Sequence, residues 1–369
     1  MIKYLGSKRT LLEQIGAVIG AFPQVERVAD VFSGTARVGH HLKGLGYQVS
    51  SNDHNAYAAT LARCYVQANL SEWEIEATRL IEQLNQLPGI PGYFTETFCE
   101  QARYFQPKNG ARIDAIREWI AAQDLNPELE SILLVSLMEA ADRVDSTTGL
   151  QMAYLKNWAP RAKNDLQLRL PSVLEQAKAG KSSVTQLEAA AAVAAFDGDL
   201  VYLDPPYNQH SYLANYHIWE SLVLWDKPSV YGIAQKRTDV RERKSAFNQR
   251  PRFEAAMAEL LAAAKAPITV VSFNNEGFID RAGMERLLGE MYDGRAVVNT
   301  LAFDYKRYVG AQIGIHDKSG KKVGKVSHLK NQEFIFVATH PSVDTSALAG
   351  LGTMIEGQTV TENQSPASD

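Results

Sequence analysis

Three features that often reveal a protein's class are scarce in this sequence: cysteine, long apolar runs and net charge. Of 369 residues, only Cys64 and Cys99 are cysteines, which excludes a disulfide framework and predicts a reducing compartment. No stretch approaches the roughly 20 apolar residues that span a bilayer. Glu13 and Gln14 interrupt the apolar residues near the N-terminus, unlike in a signal peptide. We therefore expect a cytoplasmic protein with no membrane partner.

The low net charge and the absence of common cofactor-binding patterns reduce the number of possible function classes further. A formal net charge of −4 argues against a protein that coats polyanions indiscriminately. It leaves room for a nucleic-acid enzyme with a basic cleft. No Cys/His cluster has metal-ligand spacing, so we expect no metal. The glycine-containing turn SGTARVG (33–39) is not GxGxxG, so a dinucleotide pyrophosphate is a poor fit.

Strand and helix patterns alternate at both ends of the sequence. Residues 8–21 have the spacing of an amphipathic helix. RVADVF (27–32) then has the pattern of a buried strand, 33–39 that of a turn opening a helix, and YQVSSND (47–53) that of a second strand. This βαβ order predicts an α/β fold with a doubly wound, mostly parallel sheet. Further strands are predicted at LVYL (200–203), PITVVSF (267–273) and QEFIFVA (332–338).

The middle of the chain has a different character. Helical periodicity dominates residues 70–180, as in LESILLVSLMEAADRV. We therefore predict a discontinuous catalytic domain, formed by 1–69 and 181–340, with 70–180 as a helical insertion lobe. The segment 341–369 is poor in aromatics and rich in Ser, Thr, Gly, Asn and Gln, which predicts a disordered tail.

Two acids lie near the carboxyl ends of the first two predicted strands, beside a glycine-containing turn. Gly34 allows close approach of a ligand, and the following helix N-terminus offers N–H groups to a carboxylate. Asp30 suits a ligand that carries an ammonium group, although a purely structural strand–turn–helix has the same pattern. Asp53 can bind ribose hydroxyls; as an alternative it caps the helix that follows.

The stretch LDPPYN (203–208) places reactive groups directly after a buried strand. Pro205 and Pro206 stiffen the loop and have no N–H to compete for nearby acceptors. Asp204 and the Pro205 carbonyl can then accept both hydrogens of one exocyclic amine, such as N6 of adenine. Tyr207 offers a ring on which a base can stack, a contact that contributes roughly 1–3 kcal/mol.

In their order, these stretches resemble the motifs of one enzyme family. KYLGSK (3–8), DVFSGTARVG (30–39), the Asn-Asp pair at 52–53, LDPPYN, SFNNEGFI (272–279) and HLKNQEFIFVA (328–338) are similar to those of D12-class N6-adenine-specific DNA methyltransferases. This family includes Dam-like and FokI-type modification methylases, and the long insertion before LDPPYN matches the α-group order. The resemblance covers most of residues 1–338.

The resemblance implies a seven-stranded Rossmann-like sheet and S-adenosylmethionine as methyl donor. It implies catalytic roles for Asp204, Pro205, Pro206 and Tyr207. The implied cofactor contacts are Tyr4, Lys8, Asp30, Phe32, Gly34, Asp53 and Asp204. One residue departs from the pattern, because Ala36 stands where the family often has a second glycine.

The same resemblance implies transfer of the methyl group to N6 of adenine in duplex DNA, after the base is flipped out of the helix. Such an enzyme is either an orphan or part of a restriction-modification system with a cognate endonuclease. Two alternatives stay open. One is an amino-group methyltransferase that acts on RNA or protein, and the other is a catalytically silent DNA-binding relative.

Four further segments are candidates for contact with DNA. The segments 236–252 and 305–330 are rich in Lys and Arg, which predicts phosphate contacts; solvated charged loops have the same composition. The segments 104–119 and 141–163 combine basic and aromatic residues. They are candidates for target recognition in the insertion, although core packing explains their aromatic residues equally well.

Overall fold

A computed structural model of the protein describes residues 1–275, 277–306 and 330–355. Its helices are α1 (Leu12–Gly20), α2 (Arg37–Gly44), α3 (Ala56–Ala62), α4 (Leu70–Gln86), α5 (Tyr93–Thr95), α6 (Pro107–Ala121), α7 (Pro127–Arg143), α8 (Ala189–Ala195), α9 (Tyr212–Asn215), α10 (His217–Leu224), α11 (Arg250–Ala262), α12 (Arg281–Gly289) and the short α13 (Met291–Gly294). Within the described residues, no helix has the length and apolar character needed to cross a bilayer.

The strands of the main sheet are β1 (Arg27–Asp30), β2 (Gln48–Asn52), β3 (Ser183–Thr185), β4 (Leu200–Leu203), β7 (Ile268–Asn274), β8 (Val297–Lys306), β9 (Lys330–Thr339) and β10 (Thr353–Ile355). Between β4 and β7, β5 (Val230–Tyr231) and β6 (Lys236–Arg237) form a separate hairpin. The main sheet has the strand order β10-β8-β9-β7-β4-β1-β2-β3. Strands β3, β2, β1, β4 and β7 run parallel, whereas β9, β8 and β10 pair antiparallel at one side.

This topology confirms the predicted fold class, a mostly parallel Rossmann-like α/β sheet, in which β10 adds an eighth strand at the edge to the seven that the resemblance implies. From β1 the chain proceeds outward to β2 and β3 in one direction and returns to β4 and β7 in the other. The boundary between β1 and β4 is therefore the switch point, where doubly wound folds bind ligands beyond the strand carboxyl ends. Asp30 ends β1 and Asp204 directly follows β4, so both acids lie at this boundary.

Two hydrophobic clusters cover the two faces of the sheet, because side chains alternate along each strand. Val28 and Leu200 point into one cluster, while Ala29 and Val201 point into the other. The second cluster also contains buried residues of α8, α11 and α12.

The helical segment within 70–180 packs against the sheet domain. Buried residues of α4, α6 and α7, including Leu80, Ile113 and Ile132, belong to the same cluster as Val28 and Leu200. The helices end at Arg143, and a 3-10 turn at Pro160–Lys163 follows in an otherwise irregular stretch. The segment is therefore a helical layer that shares its core with the sheet.

The predicted disordered tail is wrong for residues 341–355. Leu348 is fully buried, and β10 pairs with β8, with Thr353 opposite Ala302. The backbone groups of a sheet edge explain the error, since they can bind a short segment that has no apolar pattern of its own. Residues 356–369 lie outside the described part of the chain.

Candidate active site at the switch point of the sheet

A cavity of about 390 Å³ opens at the boundary between β1 and β4. All seven predicted cofactor contacts line it, together with Pro206. The structure thus brings the turn at 30–34 and the loop at 204–207 to one cavity. Pro205 is buried within that loop, and Tyr207 is half-buried beside it.

The glycine-containing turn is held by hydrogen bonds to the end of β2. Gly34 has a φ of 50°, and its N–H donates to Asp53 Oδ2 at 3.0 Å. Asp53 Oδ1 accepts from the Asn55 N–H at 2.9 Å. Asn55, not Asp53, occupies the N-cap position of α3. The capping alternative for Asp53 is therefore wrong, and its carboxylate belongs to the cavity wall.

Asp30 has an acceptor atom that the described residues leave unused. Its Oδ2 accepts from the Gly39 N–H at 3.0 Å. Its Oδ1 is buried and has no hydrogen-bond partner among the described residues. Burial and the nearby charge of Asp204 raise the pKa of Asp30 to about 7. A ligand ammonium group would satisfy this atom and favour the ionised form, so the site fits the amino group of S-adenosylmethionine.

Asp204 faces the cavity from the loop after β4. Its side chain is 20% exposed, and Oδ1 lies 3.2 Å from Lys8 Nζ. Burial raises the pKa of Asp204 to about 6, although the charge of Lys8 lowers it. Lys8 itself is buried, and the charges of Asp204 and Glu333 outweigh burial and hold its pKa well above the ordinary value. At neutral pH, Asp204 therefore presents an ionised acceptor.

Tyr207 is oriented by residues of β7. Its ring packs edge-on against Phe273, with centroids 5.4 Å apart, and its hydroxyl accepts from Asn274 Nδ2 at 2.8 Å. Burial raises the pKa of the Tyr207 phenol, so the hydroxyl stays neutral. These contacts fix the ring beside the cavity.

Tyr4 stands in a stack of tyrosines that the sequence did not reveal. Its ring lies 5.1 Å from that of Tyr212 and 4.5 Å from that of Tyr216, stacked in both cases. Its hydroxyl is hydrogen-bonded to that of Tyr57 at 3.1 Å. The tyrosines belong to three separate parts of the sequence, so no local pattern could predict the stack.

Glu333 is a further site residue that sequence reasoning missed. It lies on β9, is buried, and forms an ion pair with Lys8. The sequence contains one indication of its role, because Glu333 is the single charged residue of the predicted strand QEFIFVA. A buried acid in such a strand needs a partner.

The basic segment 236–252 is only partly available for DNA. The Arg237 side chain is 3% exposed and pairs with Asp226 at 2.7 Å. Arg243 pairs with the fully buried Glu220 at 2.7 Å. Arg237 is therefore structural, contrary to the predicted phosphate contacts, whereas Arg243 is 25% exposed and also lines the cavity. Lys244 and Arg252 are exposed at the cavity. The segment 305–330 lies almost entirely outside the described residues.

The aromatic residues of the two insertion segments pack internally. Tyr104 is fully buried and donates to the Gln151 carbonyl at 2.7 Å. Tyr154 packs edge-on against it, with centroids 5.2 Å apart. The Trp158 ring lies under Arg103 at 4.9 Å. Packing within the protein therefore accounts for these contacts. That residues of the insertion contact DNA bases stays a prediction.

Comparison with known proteins agrees with this geometry. The model of the family described as D12 class N6 adenine-specific DNA methyltransferase matches residues 4–266. Type II methyltransferase M.NlaIII of Neisseria lactamica is 32% identical over 346 residues, which are 90% of this chain and 100% of that protein. M.FokI of Planomicrobium okeanokoites is 31% identical, with 78% of this chain and 46% of that protein covered. Modification methylase StsI of Streptococcus sanguinis is 29% identical, with coverages of 85% and 50%. The chain belongs to the D12 class of N6 adenine-specific DNA methyltransferases.

Proposed function

We propose that this protein is a site-specific DNA-methyltransferase (adenine-specific) that uses S-adenosylmethionine to methylate N6 of adenine in duplex DNA. The observation that carries the proposal is the joint placement of Asp30 and Asp204 at the switch point. One acid offers a free acceptor to a ligand ammonium, and the other faces the same cavity from a proline-stiffened loop.

The residues around the turn at 30–34 would hold the methyl donor. Asp30 would accept from its ammonium group, and the N-terminus of α2 would bind its carboxylate. Asp53 would accept from the ribose hydroxyls. Tyr4, Lys8 and Phe32 complete the walls of this part of the cavity. When bound, S-adenosylmethionine supplies an electrophilic methyl group on a positively charged sulfur, to which the electron pair of the broken C–S bond returns.

The loop at 204–207 would hold the flipped adenine. Asp204 and the Pro205 carbonyl would accept the two N6 hydrogens, which localises the nitrogen lone pair for bond formation with the methyl carbon. Asp204 can take the proton that the methylated nitrogen then loses. Tyr207 would stack on the base, and flipping is required because N6 is paired inside the duplex. Alignment of the reacting atoms would supply much of the rate enhancement.

The names of the relatives extend the proposal to a biological setting. Type II methyltransferases and modification methylases protect DNA alongside a nuclease, so we propose a restriction-modification role in the cytoplasm with a cognate endonuclease as partner. Mapping of modified adenines in host DNA with and without the protein tests this role. Discovery of a fixed methylated sequence supports it, whereas unmodified host DNA contradicts it.

Transfer of a tritiated methyl group tests the reaction itself. We expect incorporation into duplex DNA, loss of incorporation in Asp204→Ala, and a severe reduction in Tyr207→Ala. The matched control is Asp197→Ala, which removes an aspartate that is 86% exposed and should leave the rate unchanged. Incorporation only into RNA or protein would favour a different amino-group methyltransferase. DNA binding without incorporation would favour the silent relative.

A further inference from the structure

A network of three charged side chains connects the loop at 204–207 to β9. Lys8 bridges Asp204 and Glu333, and the side chains of Lys8 and Glu333 are 7% and 3% exposed. Asp204, at 20% exposed, is the most accessible of the three. Ser272 Oγ also donates to Glu333 Oε1, at 3.2 Å. Glu333 therefore acts on the cavity through Lys8 and Asp204.

The neighbouring strands β7 and β9 build this network together with the support of Tyr207. Glu333 on β9 lies directly opposite Asn274 on β7, so the two side chains share one face of the sheet. Asn274 donates to the Tyr207 hydroxyl, while Glu333 pairs with Lys8. One cross-strand pair thus supports both ends of the loop at 204–207.

The Lys8 ammonium and the carboxylates of Asp204 and Glu333 have opposite electrostatic effects on the reacting nitrogen. Methylation places positive charge on N6, which Asp204 would face. An ammonium group beside Asp204 would weaken the attraction of that carboxylate for the new positive charge. Glu333 supplies the compensating charge, because two carboxylates and one ammonium leave a net charge of −1 on the three residues.

We propose that Glu333 is a positioning residue of the methyl transfer: its carboxylate neutralises the Lys8 ammonium, so that Lys8 does not offset the attraction of Asp204 for the positive charge that develops on adenine N6. This inference rests on the proposed function. Other titratable groups also lie near Asp204, and its charge raises the pKa of each: Asp30 on β1 and the phenols of Tyr202, Tyr207 and Tyr212. None of them pairs with Lys8 as Glu333 does.

The test compares Glu333→Gln with wild type. The variant should lower the single-turnover methylation rate at least about tenfold, with affinity for S-adenosylmethionine unchanged within about threefold. A second readout is the titration of Asp204 followed by ¹³C NMR of labelled aspartate, assigned with Asp204→Asn. The wild-type midpoint should lie at about 6, and removal of the Glu333 charge should lower it.

Two further variants separate charge from packing. Lys8→Gln with Glu333→Gln removes both opposed charges. At saturating S-adenosylmethionine, which compensates for any loss of the Lys8 contact to the cofactor, it should methylate faster in a single turnover than Glu333→Gln alone. Glu333→Asp keeps the charge and should keep the Asp204 midpoint. If Glu333→Gln fails to fold, as judged by thermal unfolding, the double variant is compared with Lys8→Gln instead. Their rates should then agree, because Glu333 has no ammonium left to neutralise in the Lys8→Gln background, and Glu333→Asp still tests whether the retained charge keeps the rate.

A distant ion pair with a buried carboxylate provides the control. Glu128→Gln removes a carboxylate whose side chain is 8% exposed and lies 3.1 Å from Lys181 Nζ, and it should change neither the Asp204 midpoint nor the rate. An unaltered rate and midpoint in Glu333→Gln, or a double variant slower than the single one, would overturn the inference. Wild-type protein that methylates no adenine would instead refute the proposed function, and the NMR titration would still report the coupling.

Discussion

Ala36 shows how one residue carries backbone strain at the cofactor turn. It occupies the N-cap of α2 with φ 60° and ψ 20°, in the left-handed region, where a side chain costs roughly 1–2 kcal/mol. Its methyl group is also fully buried. Glycine would relieve the strain but lose the buried methyl, worth about 0.8 kcal/mol, and gain freedom in the unfolded chain. These effects oppose each other.

We therefore predict that Ala36→Gly changes the free energy of unfolding by less than about 1 kcal/mol. The matched control is Ala58→Gly, in a fully buried helical position of α3. There glycine lowers helix propensity and removes a methyl, which together cost about 2 kcal/mol. Urea unfolding measures both. Equal destabilisation in the two variants would contradict a strained Ala36.

Asp30 should make cofactor binding depend on pH. Because its pKa lies at about 7, the carboxyl is largely protonated below that value and ionised above it. An ammonium ligand prefers the ionised form, so affinity for S-adenosylmethionine should fall as pH decreases from 7 toward 5. Calorimetry should detect proton release on binding, and Asp30→Asn should abolish both effects. If the affinity of the wild type for S-adenosylmethionine does not change between pH 7 and pH 5, Asp30 does not bind the ammonium group.

Individual residues differed in how far the sequence could place them. Asp30 and Asp204 were predictable because one ends a buried strand and the other follows one, and parallel strands end at one edge of a sheet. Glu333 and Asn274 were not, since their roles arise from antiparallel pairing of β7 and β9. That register depends on the whole sheet and leaves no local pattern.

At the scale of elements, the segment 236–252 shows why composition overstates a binding surface. Arg237 and Arg243 look free in the sequence, but besides Asp239 within the segment they pair with Asp226 and Glu220, which precede it in the chain. Folding brings the opposite charges together. The segment thereby connects α10 to the cavity wall and leaves Lys244 and Arg252 as its exposed cations at the cavity.

This division of roles predicts different effects of charge removal. Lys244→Gln and Arg252→Gln should each weaken DNA binding and reduce the slope of log affinity against log salt by about one. Arg237→Gln should leave that slope unchanged and destabilise the fold by roughly 1–3 kcal/mol, because Asp226 and Asp239 lose a charged hydrogen-bond partner. Salt titrations of binding and thermal unfolding distinguish the two. A reduced slope in Arg237→Gln would show that Arg237 contacts DNA phosphates after all.

Short strands mark the limit of prediction at this scale. The buried strands β1, β4, β7 and β9 were visible as apolar runs. The edge strands β3 and β10 have three residues each, and β3 has no buried residue. These two strands form because they pair with β2 and β8. A local apolar pattern does not encode that pairing.

At the scale of the whole molecule, the shared core decides how the protein unfolds. The insertion was predictable as helical because its apolar residues repeat at helical spacing. Its attachment was not, since the same pattern describes a helical layer and an independent lobe. The structure places Leu80 of α4 and Ile132 of α7 in one cluster with Val28 and Leu200 of the sheet.

A continuous core predicts one cooperative unfolding transition. Calorimetry should give a single peak whose van't Hoff and calorimetric enthalpies agree. Leu80→Ala removes a buried side chain of the insertion and should lower the free energy of unfolding by about 2–5 kcal/mol. Because the sheet and the insertion share that core, the variant should shift the whole peak. Ile75→Ala, at an exposed position of the same helix, is the control and should leave the peak in place. A separate early transition in Leu80→Ala would show that the insertion unfolds on its own, and the shared core would then carry little of the cooperativity.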